Sequence, residues 1–275
     1  MIMGVNSKEK NTAARVPDQR ELFIHEGIYR ADTIDHLPPP VAITYSDILL
    51  QIRLEMVRQY GNHSRLLDVC CATGQHLRGF LEEMQMCTGV DYSLPYLQKA
   101  NEDKTAQALG RTNYACGDAR WMPFYSNSFD IAYSFSSLYV IENVGDVINE
   151  VARVLKPGGK CILDLGNLYS LNILVVNVYH KELGWARHYA ISVPAMERII
   201  RQAGMKVVEH RSFQILPLWG GDRPKWLKPF LLPIWTRLLS RRIRGKILDE
   251  WISNLPIFRL FAFRHVFVCE KLQQS

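Results

Sequence analysis

Leu66-Leu67-Asp68-Val69-Cys70-Cys71-Ala72-Thr73-Gly74 is a short apolar run that breaks into a turn of small residues. Seventeen residues beyond Gly74, Asp91 closes a second strand-like run, Thr88-Gly89-Val90-Asp91. Small residues after a strand let backbone approach a ligand, and an acidic residue about 20 positions on accepts hydrogen bonds from ribose hydroxyls. Together the two runs are the means by which α/β proteins hold a nucleoside.

Outward from this stretch, strand and helix patterns alternate. Before it, residues 45–60 carry Ile48, Leu49, Ile52, Met56 and Val57 at helical spacing, and Gly61 ends the run. Strands are predicted at 65–69, 86–90, 112–116, 129–135, 159–165, 206–215 and 263–271, and helices at 75–84, 94–109, 144–155 and 193–203. Strands separated by helices imply parallel pairing through right-handed crossovers. Two connections are long: 166–192, and an insertion at 216–261, against roughly 2–6 residues for ordinary connections of this kind.

The composition is that of a globular chain, with 48% hydrophobic residues among 275. Net charge is +6. Eight basic residues and no acidic one lie between Arg223 and Lys246, so one segment carries more than the whole excess. The cysteines Cys70, Cys71, Cys87, Cys116, Cys161 and Cys269 form no Cys-x-x-Cys pair, and no metal site is expected. They fall in or beside strands, where cysteine packs as a small apolar residue. Free thiols without a signal peptide imply a cytoplasmic chain. Residues 1–15 are polar and read as a disordered tail, leaving 16–275 as the domain. No apolar run is long enough for a transmembrane helix.

Three further stretches follow the nucleoside pair: Cys116-Gly117-Asp118-Ala119, Phe129-Asp130-Ile131-Ala132-Tyr133-Ser134, and Arg153-Val154-Leu155-Lys156-Pro157-Gly158-Gly159-Lys160. In this order and spacing the chain resembles the class I S-adenosylmethionine (SAM) dependent methyltransferases. The family's first motif is acidic-x-Gly-x-Gly-x-Gly; here Cys70, Ala72 and Gly74 hold the glycine positions. The nearer likeness is to the Asp-Val-Cys-Cys-Gly-Thr-Gly variant of ubiquinone and menaquinone biosynthesis methyltransferases. Cysteine and alanine are small enough for backbone approach, but a positive φ at either is strained.

The resemblance implies a doubly wound, mainly parallel seven-stranded sheet whose last strand inserts antiparallel, with an N-terminal helical segment and the late insertion over its carboxyl edge. It implies SAM as cofactor, held by Asp68, Cys70, Thr73, Gly74, Asp91, Tyr92, Asp118, Ala119, Ser134 and Phe135. Each piece has a plainer reading: a buried strand and turn, a strand that ends in Asp, a helix N-cap at Asp118. The Pro157-Gly158-Gly159 turn is structural on either reading.

SAM chemistry demands alignment of nucleophile, methyl and sulfur more than covalent participation. A hydroxyl or carbon nucleophile can also call for a general base. Candidates are His188 and His180 in the connection after strand five, Tyr139 and Glu142 after strand four, and His25. For the histidines, surface or packing roles are the plainer alternative. Phe23, Tyr29 and Tyr45 are candidate lid residues.

The insertion holds Trp219, Trp226, Trp235 and Trp251, four of the six tryptophans, among its basic residues. From Pro233 a helix would place Ile234, Trp235, Leu238, Leu239 and Ile243 on one side and Arg237, Ser240, Arg241 and Arg244 on the other, with Arg242 intruding on the apolar side. That composition suits a helix lying in an anionic membrane interface, across 223–246, and equally a cap over a substrate pocket. Nucleic acid is the weaker third alternative, because the aromatics cluster with Leu, Ile and Pro. The expected activity is methyl transfer to an oxygen or carbon of a hydrophobic small-molecule or lipid-linked acceptor. The Cys-Cys variant points toward quinone rings, whereas Ser137-Leu138-Tyr139-Val140 departs from what quinone enzymes carry after strand four. Two alternatives stay open: a soluble natural-product tailoring methyltransferase, and a non-catalytic SAM-binding interaction protein.

Overall fold

Eighteen helices and strands are built by the described residues, 45–102, 110–183, 187–218, 229 and 232–273 of the computed structural model. In chain order these are α1 (Tyr45–Tyr60), β1 (Arg65–Val69), α2 (Gln75–Arg78), β2 (Met86–Asp91), α3 (Leu94–Asn101), β3 (Thr112–Cys116), β4 (Phe129–Ser134), α4 (Val144–Val154), β5 (Leu155–Gly166), α5 (Leu171–Leu183), α6 (Val193–Gln202), β6 (Met205–Phe213), α7 (Pro233–Leu239), β7 (Arg242–Ile243), β8 (Lys246–Ile247), α8 (Leu248–Ser253), α9 (Pro256–Arg259) and β9 (Arg264–Lys271). The tail at 1–15, Phe23, His25, Tyr29, Trp219, Arg223, Lys225, Trp226 and Lys228 lie outside the described residues.

Seven strands form one sheet in the order β3-β2-β1-β4-β5-β9-β6. The first five are mutually parallel, and β9 runs antiparallel between β5 and β6, as the resemblance implied. Alternating side chains feed two cores. Leu66, Ile131, Ile162, Val266 and Val268 face α1 through Leu49, Ile52, Met56 and Val57. Leu67, Val69, Ala132, Leu163 and Phe267 face α4 and α6 through Val147, Val151, Met196 and Ile200. A strand's period of two, with apolar residues in both phases, is what a sheet covered on both faces requires. Burying each such side chain contributes roughly 1.5–3 kcal/mol.

Departures from the sequence reading have local causes. The helix expected over 75–84 stops at Arg78, and the chain continues in turns, with the Phe80 N–H on Leu77 O and the Met84 N–H on Phe80 O. Gly79 is the break, since glycine is the costliest ordinary residue in a helix. Strand five starts at Leu155, not 159: Phe129 pairs with Leu155 but Ile131 with Lys160, so Pro157-Gly158-Gly159 bulges out within the strand, at a positive φ of 78° for Gly158. α5 was not foreseen. Its start, Leu171-Asn172-Ile173-Leu174-Val175-Val176, is nearly all apolar and carries no helical period.

The helix expected from Pro233 ends at Leu239, so Ile243 is not on it. The chain turns instead into the β7–β8 hairpin, where Arg244 and Gly245 both have positive φ, the signature of a type I′ turn. The second half of the 216–261 segment is fastened to the domain. Asp249 on α8 is buried and accepts Tyr45 Oη at 2.5 Å, Gln214 N at 2.6 Å and Ile215 N at 3.1 Å. Glu250 accepts a two-pronged pair from Arg211 at 2.9 and 2.7 Å. No helix among the described residues is long and apolar enough to cross a membrane.

Where β6 meets β9, two histidines pack as neutral rings. His210 stacks on Phe267 at 3.8 Å between centroids, and its Nε2 lies 2.8 Å from His265 Nδ1. Burial, with the His265 ring and Arg259 adding, holds His210 down to about 2, and burial with Arg259 adding holds His265 to about 4. In the unfolded chain both charge below about pH 6.5. Their contribution is therefore complete above that pH and is lost as pH falls toward the folded values. The pair should contribute a loss of about 2–4 kcal/mol between pH 7 and pH 5 in urea denaturation, and His210→Phe should reduce the measured loss by about 1–2 kcal/mol. Equal stability at the two pH values would refute this.

Candidate active site

The chain leaves β1 toward β2 and β3 and returns to β4 on the other side. The crevice outside the carboxyl ends of β1 and β4 is thus a topological switch point, where open α/β sheets bind ligands. Ser134 Oγ donates to Val69 O at 2.8 Å and ties the two strand ends together there.

The loop after β1 has left-handed backbone at all three motif positions, with φ of 65° at Cys70, 47° at Ala72 and 69° at Gly74. The strain expected at the first two is present, at roughly 1–2 kcal/mol each. Hydrogen bonds hold it. Val90 O accepts Cys70 N at 2.8 Å and Cys71 N at 3.1 Å, Gly74 N donates to Cys71 O at 2.9 Å, and Ala72 N donates to Asp91 Oδ2 at 2.8 Å. A Cβ on Gly89 would lie 2.6 Å from Cys71 Sγ, so glycine there admits the Cys71 side chain.

Asp91 Oδ1 accepts Ser93 N at 2.8 Å, and the carboxylate retains acceptor capacity beyond its backbone bonds. Burial raises the Asp91 pKa, and the backbone N–H groups of Ser93, Ala72 and Tyr92 oppose it. Asp68 is buried beneath the loop, and burial pushes it up to about 8 although Tyr133 Oη donates to it at 2.8 Å. Thr73 is buried and Tyr92 is exposed. Asp118 meets Arg120 in a forked pair, with Nε at 2.9 Å and Nη2 at 2.5 Å, and the buried Ala119 follows it. Phe135 is buried against Tyr133, centroids 4.8 Å apart.

Of the catalytic candidates, the structure brings Tyr139 and His188 together, rings 4.6 Å apart, with Phe263 against both. Burial lowers His188 to about 4, with Arg264 and His180 adding, and its Nδ1 is buried without a hydrogen-bond partner among the described residues. His180 sits on α5 and Glu142 is exposed.

Sequence reasoning missed the most charged feature of this edge. Asp164, fully buried near the end of β5, is shared by Arg53 of α1 and Arg264 of β9. Arg264 Nη1 reaches Asp164 Oδ2 at 2.6 Å, and Arg53 Nη1 contacts the same oxygen. Ser136 N also donates to it at 3.2 Å, and Ser136 Oγ accepts from both arginines at 3.1 Å. Arg264 further donates to Gln214 Oε1 at 2.9 Å and to Tyr139 Oη at 3.3 Å. The Arg53 guanidinium lies over the Phe135 ring, 4.9 Å from its centroid. Two signals existed: Arg53 falls on the buried stripe with Leu49 and Val57, and Asp164 interrupts an apolar strand. A charge in either place requires a partner.

Residues 67–163 match the family model described as a methyltransferase domain. The demethylmenaquinone methyltransferase of Bacillus cereus (strain B4264) is 28% identical over 173 residues, covering 54% of this chain and 73% of that protein. The demethylmenaquinone methyltransferase of Leptospira interrogans serovar copenhageni is 34% identical over 122 residues, covering 42% and 48%. A putative methyltransferase from Bacillus halodurans C-125 superposes with a TM-score of 0.55 at 20% identity, covering 83% of this chain and all of that one.

The chain is an S-adenosylmethionine-dependent methyltransferase. Its fold is the Rossmann-like sheet of the class I enzymes, and its cofactor is SAM. Two of the three motif glycines of the methyltransferase are replaced, yet the left-handed backbone persists at both. Ala72→Gly should therefore stabilise the protein by up to about 1 kcal/mol, the relief of strain less the entropy of glycine. A thermal or urea melt checks this, and a destabilisation of that size would mean the loop is not left-handed.

Proposed function

We propose that this methyltransferase moves the methyl group of SAM to an oxygen or carbon of a hydrophobic, lipid-linked acceptor, and does so at an anionic membrane surface. The observation that carries the reading is the state of residues 232–261. Ile234 and Leu238, one turn apart on α7, are exposed, as are Ile257, Phe258, Leu260 and Phe261 around α9. Arg237, Arg241, Arg242 and Arg244 are exposed in the same segment. Apolar side chains left uncovered beside arginines match an anionic lipid surface in both chemistry and charge. The segment leads straight into Phe263 and Arg264 at the carboxyl edge, and Asn167 Nδ2 pins Leu260 O at 2.8 Å and Ala262 O at 3.0 Å. The demethylmenaquinone methyltransferase relatives favour the same class of acceptor.

The crevice fits the cofactor. The left-handed loop of small residues allows close backbone approach, and the remaining acceptor capacity of Asp91 suits a ribose hydroxyl. When bound, SAM supplies a methyl group already activated on a sulfonium. Asp91 accepts the ribose hydroxyls, while Cys70, Thr73 and Gly74 hold the amino-acid end through the loop and Asp68 supports it from below. Asp118 and Ala119, beside Tyr92, border the adenine. Ser134 and Phe135 wall the methyl group. Tyr139 and His188, packed against Phe263, line the acceptor side. A histidine held near 4 is a weak base at neutral pH, so positioning is its larger role in this scheme.

Three measurements test the reading. Asp91→Ala should weaken S-adenosylhomocysteine binding about 10–100-fold in calorimetry, the worth of two charge-assisted hydrogen bonds; unchanged affinity would remove Asp91 from the site. The protein should sediment with anionic but not neutral liposomes, and replacing Arg237, Arg241, Arg242 and Arg244 by Glu should abolish this. No binding to either vesicle would leave 216–261 as a pocket cap and favour a soluble tailoring activity. Radiolabelled SAM with a lipid extract should give an organic-soluble product, and cofactor binding without any transfer would favour the non-catalytic alternative.

A further inference from the structure

Arg53, Asp164 and Arg264 sum to one positive charge, and the three side chains are 5%, 0% and 12% exposed. Buried charge is held only where it is paired, and one carboxylate cannot neutralise two guanidinium groups. The other carboxylate in the vicinity, Asp249, is engaged by Tyr45 and by the Gln214 and Ile215 N–H groups and makes no ion pair among the described residues. His188 and His76 add no negative charge and are themselves kept neutral. Burial lowers each to about 4, and the next cause is Arg264 for the first and Arg53 for the second. Among the described residues Asp164 Oδ1 has no hydrogen-bond partner, because every donor in the cluster converges on Oδ2. The cluster is thus, among the described residues, short of one anion and unevenly bonded.

Its position is informative. Ser136 and Phe135 follow β4 at the switch point, and Gly166 pairs with Arg264 at the same edge of the sheet. Tyr139, which accepts from Arg264, packs tilted against His188 and Phe263. The excess charge therefore lies between the proposed methyl-bearing end of the cofactor and an aromatic wall. Arg264 is the most exposed of the three, so the charge is reachable.

We propose that Arg53 and Arg264 form an oxyanion subsite that holds a singly charged oxygen group of the acceptor, a carboxylate or an ionised ring hydroxyl, next to an apolar body packed on Tyr139, His188 and Phe263. A monoanion completes the charge balance. This rests on the reading of that edge as the acceptor side, and it narrows the acceptor from hydrophobic to hydrophobic and acidic.

The test uses the full chain saturated with S-adenosylhomocysteine. Benzoate and its neutral isostere benzamide are titrated by calorimetry, and 4-nitrophenol is titrated with pH by the absorbance of its ionised form. The expected result is that benzoate binds at least tenfold tighter than benzamide and that bound 4-nitrophenol ionises at lower pH than in buffer. Arg264→Gln should remove both effects while S-adenosylhomocysteine affinity stays within about threefold of native. Arg264→Lys should retain most of the benzoate preference. Asp164→Asn, which leaves two positive charges, should strengthen benzoate binding, an outcome that a misfolded variant does not give. Benzoate no better than benzamide, or a benzoate preference that survives Arg264→Gln, overturns the subsite. A large loss of S-adenosylhomocysteine affinity in Arg264→Gln, with benzoate binding only to the cofactor-free protein, assigns the charge to the cofactor's own carboxylate and also overturns it. Failure of the native chain to bind S-adenosylhomocysteine instead refutes the cofactor reading beneath it.

Discussion

A single carbonyl, Val90 O, receives the N–H groups of both Cys70 and Cys71, and the next residue along β2, Asp91, receives that of Ala72. These three bonds hold a loop whose residues would otherwise leave the left-handed region. Strain of this kind persists only where surrounding structure over-determines it. The carboxylate that secures the loop is also the group with lone pairs to spare at the switch point. On the proposed reading of the site, loop shape and ligand chemistry both depend on this residue, and left-handed backbone at Cys70 and Ala72 costs stability that glycine would not.

Most of the sheet was legible because its strands are bounded by sharp punctuation. β1 and β3 fall where expected, and the end of β9 with them, since apolar runs stop at Gly, Asp or charged residues. The antiparallel last strand came from family resemblance, as did the cofactor. α5 escaped because an apolar stretch with adjacent β-branched residues has no helical period to detect. The hairpin at Arg242–Ile247 escaped because its turn depends on a non-glycine residue, Arg244, at positive φ. The Asp164 cluster escaped for a deeper reason: its two arginines lie 111 and 100 residues from Asp164, and only the fold brings α1, β5 and β9 together. Each member alone was a local anomaly, a charge where apolar packing is the rule.

The two halves of the crevice are built on different principles. On the cofactor side, polar groups are backbone N–H groups and carboxylates, fixed by the β1–β2 pairing. On the other side the surroundings are aromatic and cationic, with Tyr139, His188 and Phe263 clustered beside two arginines that share one carboxylate. That division suits a reaction in which a cationic cofactor meets a large, flat, negatively polarised acceptor. The apolar segment at 255–261 runs directly into this second half, so an acceptor arriving from a lipid phase would meet hydrophobic side chains before charge.

The measurement that bears most directly on this account is a crystal structure of the chain with S-adenosylhomocysteine. The account expects the ribose hydroxyls on Asp91, the backbone of Cys70 to Gly74 unchanged with positive φ at Cys70 and Ala72, and the sulfur facing Phe135. A ligand bound elsewhere, or a loop that abandons its left-handed residues on binding, would contradict it.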